Sequence, residues 1–139
     1  MDKSLQVVKQ MSKLNLILVE DNPADRALIQ LLFKQLGANY NLTIFNNGEE
    51  AISYFTEAAG KLPSGVVLDL NIPKKNGFEV LKFIKSKAQY SDVPVVVLTS
   101  STNLEDRENV IKQNAHFFSK SFKLPEMKRT LEVILHLFQ

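Results

Sequence analysis

Leu14-Asn15-Leu16-Ile17-Leu18-Val19-Glu20-Asp21 is a short apolar run that stops abruptly on two acids. Runs of the same kind recur at Leu42 to Phe45, Val66 to Leu68 and Val95 to Leu98, with a very short fifth at Phe117-Phe118. The runs that are apolar throughout rather than alternating read as strands covered on both faces, the habit of a parallel sheet with helices above and below. Helical period fills the intervals. Ala27, Leu28, Leu31, Leu32 and Leu36 mark a first helix, stopped by Gly37 in the left-handed position past its end. Asn47 with Glu50 reads as a capping box opening a second helix through Ala51, Ile52, Tyr54 and Phe55. Phe78, Val80, Leu81 and Ile84 give a third, near Gly77, and Thr102 with Glu105 is expected to cap a fourth that carries Val110-Ile111 and ends at a left-handed Asn114. The last helix is expected to take Pro125 as its first residue, and it lays Met127, Leu131, Ile134, Leu135 and Phe138 on one face. Strand and helix alternating five times with short connections implies an α/β fold, a doubly wound five-stranded parallel sheet with five helices. Residues 1–12 lie outside the pattern and read as a tail or short helix, which leaves 13–139 as one domain.

Composition narrows the function. A chain of 139 residues, 45% apolar, builds one core and leaves no room for a separate DNA-binding output domain. Its 17 basic and 15 acidic side chains are dispersed, with a net charge of only +2, so a phosphate-backbone binder is disfavoured. The absence of Cys excludes disulfides, thiol catalysis and cysteine-held metals, and fits a reducing compartment. His116 and His136 stand far apart without partners, so zinc is not expected. Val95 to Leu98, among the longest apolar stretches, is far short of the roughly 20 residues of a membrane span. Met1 to Met11 is charged and lacks the apolar centre of a signal peptide. The expectation is a soluble, cytoplasmic protein without nucleic-acid or membrane partners.

Open α/β sheets bind ligands just beyond the carboxyl ends of their strands. Glu20-Asp21, Asp69, Thr99-Ser100-Ser101 and Lys120 all fall there. Taken singly, Glu20-Asp21 is a solvated strand end, Thr99-Ser100-Ser101 a capping cluster and Lys74-Lys75 a solvated turn. Together the acids and the lysine make a shared site. Carboxylates on adjacent strands about 4.8 Å apart repel unless a cation sits between them. Mg2+ suits that demand, because it is hard, takes oxygen ligands and needs only one or two carboxylates beside a phosphate oxygen. Asp21 and Asp69 are the candidate direct ligands, Glu20 would hold a metal-bound water, and the backbone carbonyl of Asn71 could add a neutral oxygen. Asp69 is followed at once by the turn Leu70-Asn71-Ile72-Pro73, which presents it as a nucleophile toward phosphorus. Phosphoryl transfer of this kind depends on positioning and on neutralising oxygen charge. Lys120 can supply an ammonium and Thr99 a hydroxyl donor to the phosphoryl oxygens. Three carboxylates are then balanced by a divalent cation and one ammonium. A hydroxyl drawn inward by an arriving phosphoryl oxygen makes a switch.

Glu20-Asp21, Asp69, Pro73, Gly77, Thr99-Ser100 and Lys120, in this order and approximate spacing, resemble the two-component response-regulator receiver domain from Leu14 onward. The stretch Asp69-Leu70-Asn71-Ile72-Pro73-Lys74-Lys75-Asn76-Gly77-Phe78-Glu79-Val80-Leu81 resembles the stand-alone receivers that partner bacterial phytochrome-type kinases. The resemblance implies a flavodoxin-like receiver fold with strand order 2-1-3-4-5. It implies Asp69 as phospho-acceptor, Glu20 and Asp21 as the metal pair, Thr99 and Lys120 as phosphate contacts, and Phe117 as the aromatic whose rotamer follows Thr99. It also implies a sensor histidine kinase as donor and a face of helix 4, strand 5 and helix 5 for a downstream protein or a homodimer. Val133 and Leu137, which widen the apolar stripe of the last helix, motivate that homodimer. Two departures stand out. Receivers commonly carry a cis Lys-Pro bond, but Ser121 follows Lys120, and a non-proline cis bond costs about 3 kcal/mol or more. Phe117 replaces the frequent Tyr, so any switching there is steric.

A receiver is consumed as a substrate and is not counted an enzyme. A haloacid-dehalogenase-type phosphohydrolase also uses an aspartyl phosphate, but needs a second Asp where this chain has Asn71, which has no carboxyl proton to give. A flavodoxin-type carrier needs a hydroxyl- and glycine-rich phosphate loop where this chain has Glu20-Asp21-Asn22-Pro23. A phosphorylation-independent pseudo-receiver is the remaining alternative.

Overall fold

A computed structural model describes residues 13–57 and 62–139. The tail expected at 1–12 lies outside the described residues. The strands are β1 (Leu14–Val19), β2 (Tyr40–Phe45), β3 (Gly65–Leu68), β4 (Val95–Thr99) and β5 (His116–Ser119). The helices are α1 (Pro23–Gln35), α2 (Gly48–Glu57), α3 (Gly77–Ser86), α4 (Leu104–Lys112) and α5 (Leu124–Leu137), with a 3-10 turn at Ala88–Tyr90. All strand pairs are parallel, in the order β2-β1-β3-β4-β5.

The apolar runs are apolar because both faces are covered. Ile17, Val19, Val66, Leu68, Val95 and Val97 point to one side, where Ala51 and Phe55 of α2, Val80, Leu81 and Ile84 of α3, and Val110 of α4 close over them. Leu16, Leu18, Val67, Val96 and Leu98 point to the other, against Ile29, Leu32 and Phe33 of α1 and Met127, Leu131, Ile134 and Leu135 of α5. β2 is an edge strand and alternates, with Asn41 and Thr43 exposed, which is why its start at Tyr40 precedes the apolar run that signals it. Leu137 packs against the α1/α5 core, whereas Val133 is 48% exposed, so only one of the two widens the buried stripe.

Capping shows where residue type decides boundaries and where it does not. Gly37 (φ 74°) and Asn114 (φ 57°) take the left-handed positions expected of them. The Glu50 N–H donates to Asn47 Oδ1 at 2.8 Å while Glu50 Oε2 accepts from the Asn46 N–H at 3.4 Å. At α4 the cap is Asn103, not Thr102: the Glu105 N–H donates to Asn103 Oδ1 at 2.8 Å. Ser101 explains the one-residue shift, because its backbone N–H and hydroxyl are tied to Thr99 and Asp106, so the chain turns one residue later. Asn103→Ala should therefore lower stability by about 1 kcal/mol and Thr102→Ala by no more than a few tenths, measured by urea unfolding. α5 begins at Leu124, one residue before Pro125, with Lys123 at its cap position making no side-chain cap bond.

The connection after β3 is anchored at an unusual place. Lys74 (φ 49°) and Lys75 (φ 69°) are both left-handed, a conformation costing roughly 1–2 kcal/mol per non-glycine residue. The compensation is visible at the start of α2. The Gly48 and Glu49 N–H groups donate to the carbonyls of Pro73 (3.1 Å) and Lys74 (2.7 Å), satisfying helix donors that have no partner in their own helix. A Cβ on Gly48 would stand 1.7 Å from the Lys75 carbonyl oxygen, so only glycine permits this approach.

Candidate functional site

Register brings the candidate acids together. Val19 pairs with Leu68, so Glu20 and Asp69 emerge side by side from β1 and β3, and the Asp69 N–H donates to the Val19 carbonyl at 3.1 Å. Thr99 pairs with Ser119, and the Lys120 N–H donates to the Thr99 carbonyl at 2.9 Å, which brings the lysine to the same sheet end. No peptide bond among the described residues is cis, so Lys120–Ser121 is trans, and the stem still reaches across β4. Its ammonium donates to Glu20 Oε2 at 2.9 Å, Asp69 Oδ2 at 2.8 Å and Asp25 Oδ2 at 2.8 Å. Glu20 is 2% and Asp69 4% exposed, whereas Asp21 is exposed.

Asp25 and Arg26 are functional-looking residues that the sequence reading did not single out. Both lie in the first turn of α1, which Asn22 opens by accepting from the Ala24 and Asp25 N–H groups. An acid there is accounted for by the helix dipole alone, and this hid its ion pair with Lys120. The signal was its place in Glu20-Asp21-Asn22-Pro23-Ala24-Asp25, where the first helical turn rises beside the strand ends. Arg26 Nη1 donates to the carbonyls of Glu20 (3.1 Å) and Asp21 (3.0 Å) and to Asn46 Oδ1 (2.8 Å), bracing the loop that carries the acids.

The electrostatics follow from burial. Burial raises the Glu20 carboxyl and the neighbouring Asp69 charge adds to it; Lys120 opposes both, and the result is a group pushed up to about 7. Burial would also raise Asp69, but the Lys120 hydrogen bond and charge, with the Asn71 N–H on Oδ1 at 3.2 Å, hold it below the usual carboxylate range. Burial would lower Lys120, and the three carboxylates around it override that, leaving it firmly protonated. Between the ordinary value near 4.5 and about 7, folded Glu20 holds a proton that the unfolded chain has lost, so its contribution to stability falls as pH rises through that window. Asp69, shifted the other way, contributes stability that is lost toward low pH. Glu20→Gln should therefore raise metal-free stability at pH 8 by about 1–2 kcal/mol, less than the full shift because three acids share one ammonium, and give no gain at pH 4.5. Thermal unfolding at the two pH values checks this.

The sequence-based charge count balanced three carboxylates. The structure instead places three carboxylates, Glu20, Asp25 and Asp69, on the Lys120 ammonium, an excess of two negative charges, with Asp21 exposed at the same strand end and the Arg26 guanidinium on the backbone carbonyls of Glu20 and Asp21. An all-oxygen donor set with that excess fits one hard divalent ion. Among the described residues no three acid or imidazole side chains are gathered as ready metal ligands; the Lys120 ammonium is their common cation. Thr99 is fully buried at the end of β4, and its Oγ1 accepts from the Ser101 N–H at 3.3 Å, leaving the hydroxyl proton free to donate elsewhere. Asn71 is exposed beside Asp69. Phe117 packs against the core under α2, α3 and α4, and Phe118 against the opposite core under α1 and α5. Gly77 is needed for a close approach rather than a left-handed φ: a Cβ there would lie 2.3 Å from the Asp69 carbonyl oxygen.

A model of the response regulator receiver domain matches residues 16–132. The chain is 37% identical over 123 residues to the probable methanogenesis regulatory protein FilR2 of Methanothrix harundinacea (strain 6Ac), covering 86% of this chain and 79% of that protein. Its fold superposes on the phosphorylated cyanobacterial phytochrome response regulator RcpA with a TM-score of 0.82 at 31% identity, covering 91% of this chain and 94% of that one. The Mn2+-bound form of response regulator Rcp1 superposes with a TM-score of 0.79 at 32% identity, over 87% and 91% of the two chains.

Proposed function

This chain belongs to the response regulator receiver family, and from that premise we propose that Asp69 takes a phosphoryl group from a sensor histidine kinase, with Mg2+ as the supporting ion. The observation that carries the reading is the Asp69 carboxylate itself, kept ionised at a strand end with one oxygen on the Lys120 ammonium and the other on the Asn71 N–H. An Asp69 oxygen forms a bond to phosphorus while the bond from phosphorus to the donor's imidazole nitrogen breaks, and that nitrogen keeps the electron pair. Lys120 and the Thr99 hydroxyl donate to the phosphoryl oxygens as charge accumulates on them. Asp21, Asp69 and the Asn71 carbonyl would hold Mg2+ directly and Glu20 through water; bound there, the ion neutralises oxygen charge. The protein is consumed in each turnover and is a substrate rather than an enzyme.

Arrival of the phosphoryl group draws Thr99 inward and Phe117 follows, changing the surface of α4, β5 and α5 for a downstream protein. Leu104, Phe122, Leu124 and Val133, all exposed, belong to these elements or to the loop between β5 and α5. A second copy of the chain on this face is part of the reading. Sedimentation should show dimers that increase with a phosphoryl mimic, and a monomer under both conditions removes the dimer. A phytochrome-type kinase as donor is supported by the likeness to RcpA.

Borohydride trapping locates the acceptor. After exposure to acetyl phosphate and Mg2+, an acyl phosphate on Asp69 should be reduced to homoserine at position 69. Homoserine elsewhere, or none, removes the reading.

A further inference from the structure

The geometry points to Asp25 as a positioning residue that tethers the Lys120 ammonium in the unphosphorylated protein and releases it when a phosphoryl group reaches Asp69. The inference rests on Asp69 as phospho-acceptor and adds a residue that opposes the reaction. A lysine ammonium has three N–H donors. All three of Lys120's are committed, to Glu20, Asp25 and Asp69 at 2.8–2.9 Å. The side chain is only 13% exposed. An ammonium in this state reaches a phosphoryl oxygen only by dropping a partner or by moving, and moving stretches the same contacts.

The three partners are unequal. Glu20 is buried, and without the ammonium it would be a carboxylate deprived of its cation in a dry position. Asp69 carries the phosphoryl group and stays beside it. Asp25 has a side chain 34% exposed in the first turn of α1, where water and the helix N-terminus accommodate its charge once it is released. Asp25 is therefore the contact that gives way. Its charge also weighs against the product. With Mg2+ present and about two negative charges on the phosphoryl group, the site carries roughly one excess negative charge, and neutralising Asp25 removes it.

The test is a beryllofluoride titration at saturating Mg2+, followed by amide NMR, in the wild type, Asp25→Asn, Asp25→Glu, Lys120→Gln and the Asp25→Asn/Lys120→Gln double variant. Beryllofluoride stands in for the phosphoryl group on Asp69. Asp25→Asn should lower the half-saturating concentration about 5-fold or more, the weight of one partly exposed ion pair in competition. Asp25→Glu, which keeps the carboxylate, should restore the wild-type value within about 2-fold. In the Lys120→Gln background the effect of Asp25→Asn should shrink below about 2-fold, because there is no ammonium to release. An unchanged or higher half-saturating concentration in Asp25→Asn overturns the tether. An equal shift in the Lys120→Gln background also overturns it, by showing bulk charge alone. A wild type that binds no beryllofluoride overturns instead the reading of Asp69. Asp25 is partly exposed at a helix start where Asn is tolerated, and Asp25→Ser serves as a second neutral variant.

Discussion

Lys120→Met is expected to lower the stability of the metal-free protein by about 3 kcal/mol at pH 8, because breaking a buried ion pair leaves the surviving charges without compensation. Glu20 and Asp69 would then be buried carboxylates on neighbouring strands with no ammonium between them. The pH dependence distinguishes this from simple loss of packing. Lys120 is raised above its ordinary value in the fold, so its contribution is fully present throughout the range below that value and is intact at pH 8. Without it the two acids bind protons more tightly, and at pH 5 protonation replaces the missing cation, so the penalty should fall to about 1 kcal/mol. Chemical denaturation at both pH values measures the difference. The same variant should slow adduct formation by about 100-fold or more, the typical cost of removing one group that stabilises developing oxygen charge. A loss of stability that is small and independent of pH contradicts the role assigned to the ion pairs.

Gly77→Ala should be the second large effect. The new methyl would meet the Asp69 carbonyl oxygen at 2.3 Å and the Leu70 Cα at 2.5 Å, both main-chain atoms with no rotamer to yield. The Gly77 N–H also donates to the Leu70 carbonyl at 3.0 Å, so α3 cannot back away without losing a hydrogen bond. Forcing the backbone apart should cost about 3 kcal/mol or more and move Asp69 off the Lys120 ammonium. Adduct formation should slow with it. Gly37→Ala is the control: it has open space around it but a left-handed φ, so it should cost about 1 kcal/mol and leave adduct formation unchanged. Equal effects at the two glycines would show that close approach at Gly77 does not govern the site.

What was legible in the residues follows a physical division. Glu20, Asp69 and Thr99 were readable because each directly ends or follows an apolar run, and Lys120 because it follows the last residue of the short fifth strand; in a parallel sheet strand ends converge whatever the loops do. The five helices were readable from period. Boundaries inside Ser100-Ser101-Thr102-Asn103 were not, since all four can cap and the choice fell to the hydrogen bonds of Ser101. Asp25 was missed because a first-turn acid already has a local explanation, and its partner is 95 residues away. The left-handed Lys74 and Lys75 gave no signal, because lysine does not favour that conformation and the compensating donors belong to α2.

The most direct measurement is intact mass after incubation with acetyl phosphate, with and without Mg2+, for the wild type beside Asp69→Asn. The account predicts one phosphoryl adduct on the wild type that requires Mg2+ and is absent from Asp69→Asn. No adduct, or one that persists in Asp69→Asn, contradicts it and leaves a phosphorylation-independent binding module built on the receiver fold.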